Sequence, residues 1–251
     1  VAVAVVAALF MALPVLGLVM RTPWSDLTSR LSRPGVGDAI RLSALCATAS
    51  TVLALALGVP LGWLLANGRF PGKSLLRAIV LVPLLLPPLV SGIGMLSVLG
   101  RRGMVGRWLD RWFGVTLPFS TAGVVIAVTF VALPFVVITM ESGFRSIDRR
   151  LVSAAATLGA APGPVTRTIT LPLVAPALAA SAALAWARAL GEFGATVTFA
   201  GNLPGRTQTL PLATFLALET DLDQAMLLSM LMLVPTVLAL ALLRNRWRPT
   251  S

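Results

Sequence analysis

A chain of 251 residues that is 57% hydrophobic and only 12% charged cannot cover a water-soluble surface, since soluble domains are about a quarter charged. Its mean hydropathy of +0.91 says the same. The net charge of +11, from 20 Lys/Arg against nine Asp/Glu, would suggest nucleic acid as partner of a soluble protein. Here the bases lie between long apolar runs, where Arg and Lys anchor loops to lipid head groups, so a bilayer and no nucleic acid is expected. His and Tyr are absent, and the lone Cys46 excludes an intrachain disulfide and a thiolate metal cluster.

The apolar runs approach the ~20 residues that a hydrocarbon core of about 30 Å requires. Leu, Ala and Val fill both parities of each run, so barrel strands are not expected and the class is an all-α membrane protein. Six transmembrane helices are expected in chain order. The first is Val3–Met20, ended by Arg21 and Pro23; it lacks a basic leader and a small-residue cleavage site and reads as a retained helix. The second is Ile40–Ala66. The third, Ile79–Leu99, is interrupted by Pro83, Pro87 and Pro88, which suits a helix packed in protein or lining a cavity. Thr121–Met140, Pro176–Phe199 and Ala225–Leu243 complete the set. No connection is long enough for a separate soluble domain, so the chain reads as a single membrane domain.

Charge does not orient it. One set of loops holds nine Lys/Arg, and the other holds ten when the tail residues Arg244, Arg246 and Arg248 are counted, a difference too small for the positive-inside rule. Gly72-Lys73-Ser74 imitates the end of a phosphate-binding P-loop. The earlier glycine the motif needs is missing, because position 67 is Asn, and no strand precedes it. No ATP site, metal site or catalytic constellation is expected in this chain, which is therefore read as no enzyme. Without His, and with Glu192 alone among the acids inside a span, the usual general bases are lacking.

Two segments carry more information. The connection 141–175 contains a helix-forming stretch from Leu151, stopped by Gly159 and Pro162, and then a short amphipathic turn ending at Pro172. On the residues alone, any interfacial helix between two spans would look similar. In the fifth span Arg188 and Glu192 stand four apart and share a helix face, roughly 18 and 24 Å from its start at 1.5 Å per residue. A lone charge at such depth costs ~2.5–3.5 kcal/mol, so the two are expected to pair. The pair either fixes the helix against its neighbours or belongs to a gate. Ser91, Thr196 and Thr198 are the uncharged polar candidates for a translocation path, although each can equally bond its own helix backbone.

The first of these segments resembles the cytoplasmic coupling loop of ABC importer permeases: E-A-A, three residues, G, nine residues, I-x-L-P. Ala154, Ala155, Gly159, Ile169, Leu171 and Pro172 stand in register, and Ser153 occupies the place of the Glu. The stretch Arg188–Leu212, with Gly-Glu-Phe-Gly-Ala-Thr and Thr-Gln-Thr-Leu-Pro, is similar to the molybdate branch, as is Leu86-Pro87-Pro88 followed by Ser91-Gly92. The sister branch carries sulfate or thiosulfate and usually has Tyr where Phe193 stands. The resemblance implies a type I ABC importer permease in a bacterial or archaeal plasma membrane, with both termini cytoplasmic. It implies a homodimer that moves molybdate, or the near-isosteric tungstate, inward by alternating access. It further implies separate ATPase subunits holding ATP and Mg, and an extracytoplasmic oxyanion-binding protein. The alternative from another class is a secondary anion transporter, against which the absence of an internal repeat counts.

Overall fold

The computed structural model describes residues 1–244, so Arg246 and Arg248 of the expected tail lie outside the described residues. All regular structure among the described residues is helical: α1 (Ala2–Arg21), α2 (Leu27–Leu31), α3 (Val36–Asn67), α4 (Lys73–Leu85), α5 (Pro88–Leu99), α6 (Gly106–Phe113), α7 (Thr121–Arg145), α8 (Arg149–Thr157), α9 (Pro162–Val165), α10 (Leu171–Leu190), α11 (Gly194–Phe199), α12 (Leu210–Thr220) and α13 (Leu222–Arg244). A π-turn over Thr166–Thr170 joins α9 to α10 without a break. Five helical stretches are long and apolar enough to cross a bilayer, and the bent pair α4–α5 makes a sixth.

The centre is α3 packed on α7, with α10 against both. Lipid chains are as apolar as the helices, so membrane helices associate through close backbone approach rather than hydrophobic exclusion. α3 supplies the small residues for this: Ser50, Ala54, Gly58, Gly62 and Ala66 recur every four residues along one buried stripe. A Cβ at Gly58 would stand 2.7 Å from Val136 Cγ1, and one at Gly62 2.9 Å from Met140 Cβ. The same offset places Ala54 and Ala66 in one cluster with Ala132 and Phe144, and Cys46 in another with Val124, so the two helices run parallel. Ser50 Oγ adds an interhelical bond to the Val125 carbonyl at 3.0 Å. α10 runs the other way, from Val174 beside Met140 and Phe144 to Leu190 beside Val124.

The bent pair turns by 117° at Leu86–Pro87. Pro87 and Pro88 each lack an N–H, so neither can continue the ladder of α4. Its two pieces serve opposite halves of α7. Val80 and Leu76 of α4 cluster with Leu133 and Val137, while Met95 and Leu96 of α5 cluster with Ala127 and Val131. The pair therefore runs along the middle of α7, from the level of Val137 to that of Ala127, as one broken span. At its start, Gly72 in the left-handed region (φ +86°) caps α4 and Lys73 Nζ donates to the Gly68 carbonyl at 2.8 Å. The imitation P-loop is thus a basic helix cap.

Several expected boundaries move. α7 continues past Met140 to Arg145, and the fifth span begins before Pro176, so the connection expected over 141–175 shortens to α8, α9 and their joints. The fifth span also stops early. α10 ends at Leu190, and Gly191–Phe193 form a break before α11, so Glu192 lies at a helix end rather than inside a helix. At the end of the molecule shared by the start of α3 and the break, an ion cluster ties α2 to the α12–α13 turn. Arg30 Nη1 reaches both Asp221 carboxylate oxygens at 3.1 Å and Nη2 reaches Asp223 at 3.0 Å; Arg33 adds Asp221 at 2.8 Å. Arg33, the amide of Gln224 and Arg30 together hold the Asp221 carboxyl below the usual carboxylate range.

Candidate coupling loop and translocation elements

The segment that follows α7 is short and shaped by caps. Asp148 accepts the Arg150 amide at 2.9 Å through Oδ1, which starts α8 three residues after α7 ends. α8 stops at Leu158 because Gly159 takes φ +82°. Its amide bonds the Ala156 carbonyl and that of Ala160 bonds Ala155, both at 3.0 Å, satisfying the last carbonyls of the helix. A left-handed residue with a Cβ is strained, so the glycine in the motif has a backbone reason. Pro162 then opens α9 at a position where its missing N–H costs nothing. The π-turn widens the helix just before Pro172, which has no N–H to offer the preceding turn.

These residues form a knob on the end of the bundle. Ser153 and Ala154 are exposed, Ala155 and Ile169 half-buried, and Leu171 and Pro172 exposed on the stem that leads into α10. Leu158 is 88% exposed, an apolar tip presented outward with no intrachain cover. A cleft of about 450 Å³ lies between knob and bundle, lined by Trp63, Phe144, Val152, Ser153, Val165 and Thr170 among others. Ser153 thus faces a cleft where a longer carboxylate side chain would have room.

Beside the knob is a charge cluster that the residue pattern did not single out. Glu141, buried near the end of α7, pairs with Arg77 of α4 and with Arg145 at 2.8 Å. Read as loop residues, Arg77 and Glu141 gave no reason to meet; the spacing of Glu141 and Arg145 was the one signal available. The cluster fastens the start of the broken span to the helix that leads into α8.

At the opposite end Arg188 and Glu192 meet, Nη2 to Oε2, at 2.6 Å. The carboxylate side chain is only 1% exposed, and its other oxygen accepts the Ala195 amide at 2.9 Å. Glu192 therefore bridges the end of α10 to the first turn of α11, where backbone N–H groups have no helical partner and favour a negative charge. α11 packs tightly on α5: a Cβ at Gly92 would collide with the Thr198 side chain, and Gly194 faces Pro88.

The three polar candidates fall on these two helices, and their hydroxyls differ. Thr198 Oγ1 bonds the Gly194 carbonyl at 2.8 Å and that of Ala195 at 3.2 Å, so it is engaged with its own helix. Ser91 Oγ and Thr196 Oγ1 are buried with no hydrogen-bond partner among the described residues; Thr209 Oγ1 is a third such hydroxyl. Buried hydroxyls are usually bonded, so these are donors in reserve. Thr209 was missed because it lies between spans.

Comparison with known proteins agrees with this geometry. The profile described as "Binding-protein-dependent transport system inner membrane component" matches residues 58–248. The molybdenum transport system permease protein ModB of Mycobacterium bovis is 44% identical over 235 residues, covering 94% of this chain and 89% of the relative. The sulfate transport system permease protein CysT of Escherichia coli K12 is 32% identical over 236 residues, 92% of this chain and 85% of that one. A crystal structure of a bacterial ABC transporter involved in alginate import superposes with a TM-score of 0.72, covering 98% of this chain and 93% of that chain at 18% identity, and so shares the fold. By sequence and architecture, this chain belongs to the family of binding-protein-dependent transport system inner membrane components.

Proposed function

We propose that the chain is the permease subunit of an ATP-driven importer that carries molybdate into the cytoplasm. The observation that carries this reading is the 44% identity, spanning nearly the whole chain, to a molybdenum permease, against 32% to a sulfate permease. The permease is a homodimer with the path between the two copies. ATPase subunits, which hold ATP and Mg, dock on the α8–α9 knob, with Leu158 and the Ser153 cleft as its contact features. An oxyanion-binding protein docks at the other end, and both termini lie on the ATPase side, in the cytoplasm. The Ser153, Ala154, Ala155, Gly159, Ile169, Leu171 and Pro172 segment passes the ATPase motion to α7 and α10.

The chemistry of the proposed cargo fits the polar residues. A tetrahedral dianion in transit suits neutral donors, because a strong fixed charge would retain it. Ser91 and Thr196 supply uncommitted hydroxyls on the tightly packed α5–α11 pair. Glu192 would repel the ion, and the structure turns its carboxylate to Arg188 and the Ala195 amide instead. ATP-dependent uptake by the reconstituted complex tests the reading. Molybdate and tungstate are expected to compete with each other and sulfate to compete weakly. Sulfate uptake at equal or higher efficiency would move the chain to the sister branch, and uptake without ATPase subunits would make it a secondary transporter.

A further inference from the structure

The helix α6 has no role in the reading above, and four of its eight residues are Trp or Arg. It follows directly from the end of α5: the Val105 amide bonds the Val98 carbonyl at 2.8 Å, and the Met104 amide bonds Ser97 at 3.3 Å. Gly106 is buried against the backbone of Leu99 and Gly100, where a Cβ would have no space. The helix is thereby held at the level where the broken span ends, at the edge of the apolar layer.

Around its axis α6 divides cleanly at 100° per residue. Arg107, Asp110 and Arg111 fall in one arc, and Trp108, Leu109, Trp112 and Phe113 in the other. Trp112 is 71% and Phe113 73% exposed, so the apolar arc is uncovered in the chain. Arg107 sits 5.7 Å from the Trp108 ring centre, and with Arg111 the two line a cleft of about 260 Å³. Arg101 is occupied by Asp110 at 3.0 Å, while Arg102, Arg107 and Arg111 are exposed and form no salt bridge among the described residues.

Trp and Phe beside Arg at the end of a span match the two layers of a lipid surface: indole and phenyl rings at the carbonyl level, guanidinium groups at the phosphates. Three free positive charges with a single, already paired acid select for net negative head groups. From this we infer that α6 is an anionic-phospholipid site, lying in the leaflet opposite the α8–α9 knob, with Arg102, Arg107 and Arg111 on the head-group phosphates and Trp108, Trp112 and Phe113 among the acyl carbonyls.

The test uses the full chain in nanodiscs of mixed phosphatidylcholine and phosphatidylglycerol, with retained lipid counted by native mass spectrometry after release. Wild type is expected to retain phosphatidylglycerol preferentially. R102Q/R107Q/R111Q should lower that preference by on the order of a hundredfold, since each surface arginine contributes about a fivefold factor. R102K/R107K/R111K should keep most of it. An unchanged preference in the glutamine variant overturns the proposal. So does a glutamine variant that keeps its lipid but weakens binding of the extracytoplasmic partner or of the second permease copy, which would make α6 a protein-docking surface.

Discussion

Replacing Glu192 by Gln removes one charge and changes almost no volume, so its effect isolates the ion pair. In the native chain Oε2 lies 2.6 Å from Arg188 Nη2, and Oε1 accepts from the Ala195 amide at 2.9 Å. Gln can keep the second bond through its carbonyl oxygen, but its NH₂ group then faces the guanidinium, donor against donor. Breaking one side of a buried pair costs ~3–5 kcal/mol, because a charge is left without compensation. Arg188 is partly exposed, which favours the lower end, ~3 kcal/mol. The loss should appear as a lower denaturation midpoint of the purified permease in detergent and as less folded protein by size exclusion. Removing the arginine as well relieves the conflict while keeping the cap on Ala195. R188M/E192Q is therefore expected to recover more than half of the stability that E192Q loses. Wild-type stability in E192Q would refute the pairing, and a double variant no more stable than the single would refute the repulsion on which the magnitude rests.

Three further outcomes follow from single features. Gly159→Val places a Cβ in open space but at φ +82°, a strain of ~1–2 kcal/mol, and is expected to leave ATP hydrolysis by the assembled complex running while uptake falls; Gly159→Asn, which tolerates that conformation, should retain more coupling. Equal uptake in all three proteins would separate the loop from transmission. Gly62→Leu is expected to cost ~3 kcal/mol or more by forcing α3 off Met140, read as loss of the folded peak, whereas Gly17→Leu on α1, with nothing nearby, should be silent. Asp221 is held below the usual carboxylate range by Arg33, the Gln224 amide and Arg30, so its contribution to stability is full above its unfolded pKa of about 3.9 and is lost as pH falls below that. An acid titration of Asp221→Asn should show a shallower loss than wild type, and identical curves would count against the cluster.

The spans were legible because each is a long, mostly apolar run, even where prolines break the third and an ion pair interrupts the fifth, and the motif because Ser153–Pro172 is contiguous in sequence. What escaped was set by pairing across the fold. Glu141 and Arg145 looked like the start of a loop, yet Arg77 on a distant segment neutralises Glu141 and lets α7 continue through it. Glu192 looked like a mid-helix charge, yet it sits in the break after Leu190, where α11 needs a capping acceptor. Gly191 and Gly194 flank that break and were the available hint. The stripe from Ser50 to Ala66 was also visible as a four-residue repeat of small residues, but its partner on α7 is a matter of packing.

The placement of the breaks bears on how motion at the knob would reach the other end of the molecule. α8 is joined to α7 by three residues, and α7 is locked to α3 along a stripe too tight for a single methyl group at Gly58 or Gly62, so these two helices must move together. Glu141 adds α4 to the same unit through Arg77. Past Leu86–Pro87 the chain enters α5, which is clasped to α11 by the Gly92–Thr198 and Gly194–Pro88 contacts. α11 in turn is tied to α10 by Glu192, which bonds Arg188 and the Ala195 amide across Gly191–Phe193. The α5–α11 pair is thus a tightly packed block that rests on α7 through Met95, Ala195 and Phe199, and two of its four covalent connections, to α4 and to α10, are helix breaks, one proline-made and one glycine-flanked. Rigid helices transmit displacement, and breaks are where backbone angles can absorb a change. A rotation of the α3–α7–α10 unit driven from α8 would bend the chain at residues 86–87 and 191–193, and any shift of the block carrying Ser91 and Thr196 would have to slide its Met95–Phe199 contact along Ala127 and Val131 of α7. If Ser91 and Thr196 line the path proposed above, such a hinge would carry both hydroxyls together, since α5 and α11 are packed on each other.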